Sequence, residues 1–295
     1  KERNAVILAH YYQDSTIQDV ADFMGDSLAL AQAAKKTDAD VILFCGVHFM
    51  AETAKILNPD KIVVIPDMNA GCSLADSAPK DEFRAWIDRH PNHTVISYIN
   101  CSSDVKAMSD LICTSSNAEK IVNSVPADKP ILFAPDKYLG NYLIKKLGRN
   151  MTLWNGSCQV HEIFSEQELI TLMNKYPDAY VLAHPECPEN ILDYADYVGS
   201  TTNIIKVGTE RPEKDLIIIT EPGVIHQMKK IAPDKNYIPL ASVEGCSCNE
   251  CPYMRLNTLD KMIAALETLE PQIIMDEDLR KRAAVPLERM LELSK

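Results

Sequence analysis

The chain has 295 residues, 46% of them hydrophobic, and a formal net charge of −12. The apolar fraction is ample for a buried core, while the acidic balance and the lack of a basic run argue against nucleic acid or an anionic membrane surface as a partner. No apolar stretch reaches transmembrane length and no signal peptide is read; residue 1 is Lys rather than Met, so a short N-terminal piece is expected to precede it.

Taken from the N-terminus, the chain repeats itself. Residues 5–27 (AVILAHYYQDSTIQDVADFMGDS), 93–115 (HTVISYINCSSDVKAMSDLICTS) and 179–201 (AYVLAHPECPENILDYADYVGST) align without a gap at offsets of 88 and 86. Each block opens on a short apolar run, Val6–Ala9, Val95–Ser97 or Val181–Ala183, that fits a buried parallel strand. A polar loop and a helix-like stretch follow, then Ala/Ser-Asp, two or three mostly apolar residues and a hydroxyl: Ser27, Ser115 or Thr201. The second half of each unit adds a strand (Val41–Phe44, Ile131–Phe133, Leu216–Ile219), a helical pattern (Phe49–Leu57, Tyr138–Leu147, Val224–Ile231) and a third strand (Ile62–Ile65, Met151–Leu153, Tyr237–Leu240).

Strands alternating with helices imply parallel sheets with helical cover. The expected fold is α/β: three homologous αβα units around a pseudo-threefold axis with the active site at the centre. The units span 1–84, 85–170 and 171–256, and 257–295 forms a helical cover (Leu259–Leu269, then Glu277–Leu293).

Each third strand leads into a cysteine loop. Cys72 lies in Asn-Ala-Gly-Cys-Ser and Cys158 in Asn-Gly-Ser-Cys-Gln, while Gly245–Met254 holds Cys246, Cys248 and Cys251. Closely spaced thiolates suit zinc or an iron–sulfur cluster. By repeat symmetry alone Gly245-Cys246-Ser247 is the counterpart of Gly71-Cys72-Ser73. Nine cysteines, an odd number spread through a large chain, indicate a reducing cytosol with most thiols free. Cys45 and Cys113, inside apolar runs, read as core.

Ligands of open α/β sheets bind beyond the carboxyl ends of the strands. The first strands end at His10, Tyr98 and His184, and two residues later stand Tyr12, Asn100 and Glu186. With Ser27, Ser115 and Thr201 these nine side chains are expected to converge on one pocket rich in donors for an anionic substrate. A bland reading competes: a Ser before a helix is commonly an N-cap, and strand-terminal polar residues are often loop-formers. His48, His90, His93 and His226 are read as surface or helical residues; His161, three residues after Cys158, is left open. Neither GxGxxG, GxxxxGK[ST] nor GxSxG is present.

The chain resembles the quinolinate synthase family through Ala9-His10-Tyr11-Tyr12-Gln13, Ala21–Ser27, Tyr98-Ile99-Asn100, Cys113-Thr114-Ser115, Gly156–His161, His184-Pro185-Glu186-Cys187-Pro188, Gly199-Ser200-Thr201 and Cys251-Pro252-Tyr253-Met254. The resemblance implies three αβα units about a pseudo-threefold axis and a [4Fe–4S] cluster held by Cys72, Cys158 and Cys251, since the family places its third ligand just before Pro-Tyr-Met. Some relatives carry Cys-x-x-Cys-x-x-Cys here. This chain has Cys-x-Cys-x-x-Cys, so Cys246 and Cys248 are spare thiols, a redox-sensitive pair, or without a role.

The implied reaction is a transferase step of NAD (pyridine nucleotide) biosynthesis. Iminoaspartate (iminosuccinate) and dihydroxyacetone phosphate give quinolinate, water and phosphate, and one open iron serves as Lewis acid. The resemblance implies His10, Ser27, Tyr98, Asn100, Ser115, His184, Glu186 and Thr201 as substrate-binding residues. Glu186 is the candidate general base, His184 a proton-moving neighbour and Tyr12, outside that set, a relay. An L-aspartate oxidase or dehydrogenase is the implied source of the imine, in the cytoplasm, with no membrane or nucleic-acid partner. Rival readings are another [4Fe–4S]-dependent hydro-lyase, a non-catalytic iron–sulfur sensor with all irons closed, and a structural zinc protein.

Overall fold

The computed structural model describes residues 3–241 and 249–295. Among them, twelve strands form three four-stranded parallel sheets. The first holds β1 (Ala5–His10), β2 (Phe23–Gly25), β3 (Val41–Cys45) and β4 (Ile62–Val64). The second holds β5 (Thr94–Tyr98), β6 (Leu111–Cys113), β7 (Ile131–Ala134) and β8 (Thr152–Leu153). The third holds β9 (Tyr180–Ala183), β10 (Tyr197–Val198), β11 (Asp215–Ile219) and β12 (Asn236–Pro239).

The orders are β2-β1-β3-β4, β6-β5-β7-β8 and β10-β9-β11-β12, one topology used three times. Each unit thus has four strands where three are expected from sequence. The additional ones, β2, β6 and β10, are the few apolar residues before each aligned hydroxyl, too short to carry a period of their own. The central strands are apolar throughout, as in β3 and β7, where every residue is buried; this is the pattern of a parallel sheet covered on both faces.

The registers repeat as closely as the sequence does. Leu8 pairs with Phe23, Ile96 with Leu111 and Leu182 with Tyr197, each 15 residues apart. The Asp that precedes each edge strand sets this register. Asp22, Asp110 and Asp196 each accept a hydrogen bond from a strand N–H, on Ile7, Val95 and Val181, at 2.8 Å in all three units. The repeated Ala/Ser-Asp is therefore a structural device. Replacing Asp110 or Asp196 by Ala strips the partner from a strand N–H, and urea denaturation is expected to show a loss of about 1 kcal/mol each, since the carboxylates are exposed. No change in either variant would mean that water replaces the bond without loss.

Long helices cover the sheets and start on side-chain caps. Asp26, Asp136 and Ser200 cap the helices Ser27–Lys36, Lys137–Leu147 and Thr201–Glu210. Lys137–Leu147 stops at Gly148, whose φ of 63° is left-handed and open to glycine without strain. The C-terminal helix Glu277–Leu293 buries Ala283, Pro286, Leu287, Met290 and Leu291 against the helix Ser103–Ala107 and β6, while Leu259–Thr268 buries Met262 and Ala265 over β3.

In each sheet the chain leaves its first strand toward one edge and returns to build toward the other. The strand order reverses between β1 and β3, β5 and β7, and β9 and β11. Those reversals are where an α/β sheet opens a crevice at its carboxyl edge, and the candidate residues stand there.

Candidate active site

His10 is the last residue of β1, Tyr98 the last of β5, and His184 follows β9. Two of the three turns beyond them share a local device: His10 Nδ1 accepts from the Tyr12 N–H at 3.1 Å, and His184 Nδ1 from the Glu186 N–H at 3.4 Å. Each bond leaves the proton of a neutral ring on Nε2. Burial lowers His10 to about 4 and His184 to about 3, against the pull of nearby carboxylates, so both are neutral donors near pH 7.

Glu186 is 3% exposed and joins the second and third units. Its Oε1 accepts from the Tyr98 hydroxyl at 2.6 Å, and its Oε2 lies 3.1 Å from His161 Nδ1. Burial acts to raise the Glu186 pKa, but His161, His184 and the Tyr98 hydrogen bond outweigh it and hold the group below its ordinary value, as a carboxylate. Burial and then the Glu186 charge push Tyr12 and Tyr98 well above the usual phenol range, so both stay protonated. Tyr12 does not touch Glu186. Its hydroxyl lies 3.0 Å from Thr201 Oγ1 and 2.8 Å from Thr220 Oγ1, and Thr220 Oγ1 lies 3.0 Å from His161 Nε2. The groups form a chain: Thr201, Tyr12, Thr220, His161, Glu186, Tyr98.

At the other end stand the aligned hydroxyls. Ser27 and Thr201 are the first residues of their helices, and capping falls to the residue before each: Asp26 accepts from the Ala29 N–H and Ser200 from the Asn203 N–H. The capping alternative therefore applies to the neighbours and not to Ser27 or Thr201. Among the described residues the hydroxyls of Ser27 and Ser115 have no hydrogen-bond partner.

The cysteine loops form the remaining wall. Cys72 and Cys158 precede the short helices Ser73–Asp76 and Gln159–Glu162, and Cys251 precedes the 3-10 turn Met254–Leu256. Nearby backbone N–H groups two and three residues on act to lower each thiol: Leu74 and Ala75, Val160 and His161, Tyr253 and Met254. Three loops of different sequence thus present a thiol in one way, with donors that favour thiolate. Burial raises all three thiols, Cys72 to about 12, so a metal displaces protons when it binds. Close packing at glycine permits the loops to approach: a Cβ on Gly156 would stand 2.5 Å from Pro135 O and collide with Ser77 Oγ.

Cys72, Cys158 and Cys251 are the partly exposed cysteines among the described residues, whereas Cys45, Cys101, Cys113 and Cys187 are fully buried core. Cys246 and Cys248 lie outside the described residues. Cys158, His161 and Glu186 also present donor atoms within 4.8 Å of one another, an arrangement able to bind a metal ion.

One cavity brings all of this together. His10, Tyr12, Ser27, Tyr98, Asn100, Ser115, His184, Glu186 and Thr201 line it, and so do Cys72, Cys158 and Cys251. Asp26, His161 and Glu221 line it too, and sequence reasoning did not select them. His161 carried a signal in its nearness to Cys158. Thr220 and Glu221 stand just beyond β11, where the corresponding residues of the other units differ in kind, so the repeat gave no signal for them. Glu221 is fully buried; burial raises it to about 8, against the charge of Arg255, whose Nη2 lies 2.9 Å from Glu221 Oε1.

The family model described as Quinolinate synthetase A protein matches residues 1–292. Curated relatives agree over the full length. A quinolinate synthase of Nostoc punctiforme is 58% identical over 294 residues, covering 100% of this chain and 91% of that protein. That of Microcystis aeruginosa is 58% identical over 294 residues, covering 100% and 92%, and that of Trichodesmium erythraeum 56% over 294 residues, covering 100% and 91%.

Proposed function

The chain belongs to the quinolinate synthetase A protein family, an enzyme family of NAD biosynthesis, and from that membership we propose that the cavity condenses iminoaspartate with dihydroxyacetone phosphate, releasing water and phosphate as quinolinate forms. The observation that carries this reading is the convergence of nine repeat-related polar side chains and three cysteines on one cavity.

The donor set fits a [4Fe–4S] cluster held by Cys72, Cys158 and Cys251: three soft ligands, each on its own loop, partly exposed and lining one cavity. With three protein ligands, such a cluster supplies one open iron as a Lewis acid toward a hydroxyl or carboxylate oxygen. The protein's own groups do the rest. Neutral His10 and His184 donate Nε2–H to substrate carboxylates, with Tyr98 and Asn100 beside them. Ser27, Ser115 and Thr201 donate to phosphate or carboxylate oxygens near the N-termini of the helices Ser27–Lys36 and Thr201–Glu210, where partial positive charge favours anions. Glu186, ionised and buried, takes a proton from carbon in the isomerisation and ring-closing steps. His161 accepts or returns that proton, and Thr220 and Tyr12 extend the path to Thr201.

An oxidase or dehydrogenase acting on L-aspartate supplies the imine. No helix among the described residues is long and apolar enough to cross a membrane. The seven described cysteines are all unpaired, which supports a reducing, cytoplasmic setting.

An anaerobic assay tests the reading, with iminoaspartate generated in situ, dihydroxyacetone phosphate added, and iron and sulfide counted on the same sample. Quinolinate in proportion to cluster content is the expected result. A full cluster without quinolinate would favour another hydro-lyase or a sensor, and zinc in place of iron would favour the structural site. Cys72→Ser, Cys158→Ser and Cys251→Ser are each expected to lose most bound iron, while Cys246→Ser retains it. Iron loss in Cys246→Ser with retention in Cys251→Ser would move the third ligand to the position that repeat symmetry alone selects.

A further inference from the structure

Asp26 sits where the three units meet. It is 6% exposed and caps the helix Ser27–Lys36, its Oδ1 accepting from the Ala29 N–H at 3.0 Å. Its Oδ2 accepts two more hydrogen bonds, from Ser116 Oγ of the second unit and Thr202 Oγ1 of the third, both at 2.7 Å. Each of the three segments joined in this way carries one aligned hydroxyl next in sequence: Ser27 after Asp26, Ser115 before Ser116, Thr201 before Thr202.

The repeat makes the role of the carboxylate separable from capping. At the offsets of the repeat, Asp26 corresponds to Thr114 and Ser200. Ser200 caps its helix with a hydroxyl, and Thr114 binds Asn117 within its own turn. Ser, Asn and Asp cap about equally well, so a hydroxyl would meet the local need at position 26 as well. A carboxylate adds a second acceptor oxygen, and that oxygen is the one that crosses to the other units. An Asn there would keep the cap but put an N–H₂ group in place of the accepting oxygen, so both hydroxyls would have to turn and accept where they now donate.

We propose that Asp26 is a positioning residue that fixes the spacing of Ser27, Ser115 and Thr201 by holding Ser116 and Thr202 across the unit boundaries, and so sets the affinity of the three-hydroxyl end of the cavity for the phosphate-bearing substrate. This rests on the reading that those three hydroxyls bind an oxyanion of the substrate.

The test is steady-state kinetics of the cluster-loaded enzyme with inorganic phosphate as competing probe, alongside iron content and thermal melting. Asp26→Asn is expected to raise KM for dihydroxyacetone phosphate and the inhibition constant of phosphate together, each by about tenfold, the scale of one misplaced hydrogen bond. kcat changes less and iron content stays constant. Asp26→Ser, which restores the cap used in the third unit, is expected to show the same KM rise. Should the Asp26 variants not fold, Thr202→Val removes one of the two crossing donors at constant shape and is expected to raise both constants by about threefold. Reduced melting temperature with unchanged KM and inhibition constant would make Asp26 a staple of the fold alone and overturn the proposal. Ser115→Ala and Thr201→Val separate the two readings. A raised KM there with normal KM in Asp26→Asn overturns the role of Asp26 only; unchanged KM in both overturns the oxyanion reading and the proposal with it.

Discussion

Glu186→Gln is expected to lower kcat by about 10²–10⁴-fold while cluster content and melting temperature hold, the range for removal of a positioned general base. Gln matches Glu in shape and its carbonyl can still accept from the Tyr98 hydroxyl, at 2.6 Å from Glu186 Oε1. It cannot take a proton at any working pH. The surroundings make the ionised form of Glu186 the resident one: burial opposes the charge, but His161, His184 and Tyr98 more than offset it. As the proposed base, a carboxylate held in this way is ready but weak, and its strength depends on its donors. Tyr98→Phe removes one bond to the charged form, so the Glu186 pKa rises. Under the proposed base assignment the ionised form is the active one, and the acid limb of kcat/KM is expected to move to higher pH. Near-normal turnover in Glu186→Gln at full iron content would end the base assignment. A limb that moves to lower pH in Tyr98→Phe would place the titrating group elsewhere.

The sequence is legible where the three units agree and silent where one unit differs. Offsets of 88 and 86 exposed the strand-end positions because each unit places a polar group there, and all nine of those side chains line the cavity. The sequence offered no such comparison for His161, which lies in a cysteine loop with an unrelated neighbour in each unit. Beyond the second long strands the corresponding residues are Val47, Asp136 and Glu221: one apolar, one a helix cap and one an ion-pair partner. Similarity cannot mark a position whose value lies in being different. The short strands β2, β6 and β10 were hidden for another reason. Two or three residues cannot show alternation, and their register is fixed from outside, by the bonds of Asp22, Asp110 and Asp196 to the neighbouring strand. The capping question was undecidable from residue type, because Asp26-Ser27 and Ser200-Thr201 each offer two competent caps in succession and only the start of the helix decides between them.

Arg255→Ala is expected to destabilise the protein by about 1–3 kcal/mol near pH 7, the cost of leaving the buried Glu221 oxygens short of a donor, because Glu221, already raised to about 8 by burial, takes up a proton when the guanidinium is gone. Glu221 has no exposed side-chain surface, and its hydrogen-bond partners among the described residues are donors: Arg255 Nη2 at 2.9 Å, the Gly223 N–H at 2.7 Å and the Cys251 N–H at 3.4 Å. Arg255 also donates from Nη1 to the Tyr12 carbonyl at 3.0 Å, so one guanidinium ties the third cysteine loop to the turn after β1. Gly223 belongs to the same contact, since a Cβ there would stand 2.7 Å from both Glu221 Oε2 and the Tyr11 carbonyl. Loss of the charge rather than of packing is separable by a second change. Glu221→Gln removes the cost of protonating the buried carboxylate on folding, so the double variant Glu221→Gln/Arg255→Ala is expected to be more stable than Arg255→Ala alone, a coupling visible in a double-mutant cycle by chemical denaturation. The same loosening is expected to reach the proposed cluster site, because Glu221 holds the backbone of Cys251. Arg255→Ala is expected to retain less iron per chain after gel filtration, and the double variant still less than wild type, since it removes the protonation cost without restoring the tie. Stability of Arg255→Ala within 1 kcal/mol of wild type, or no recovery in the double variant, would show that the pair is solvated and that the Cys251 loop is held by other contacts.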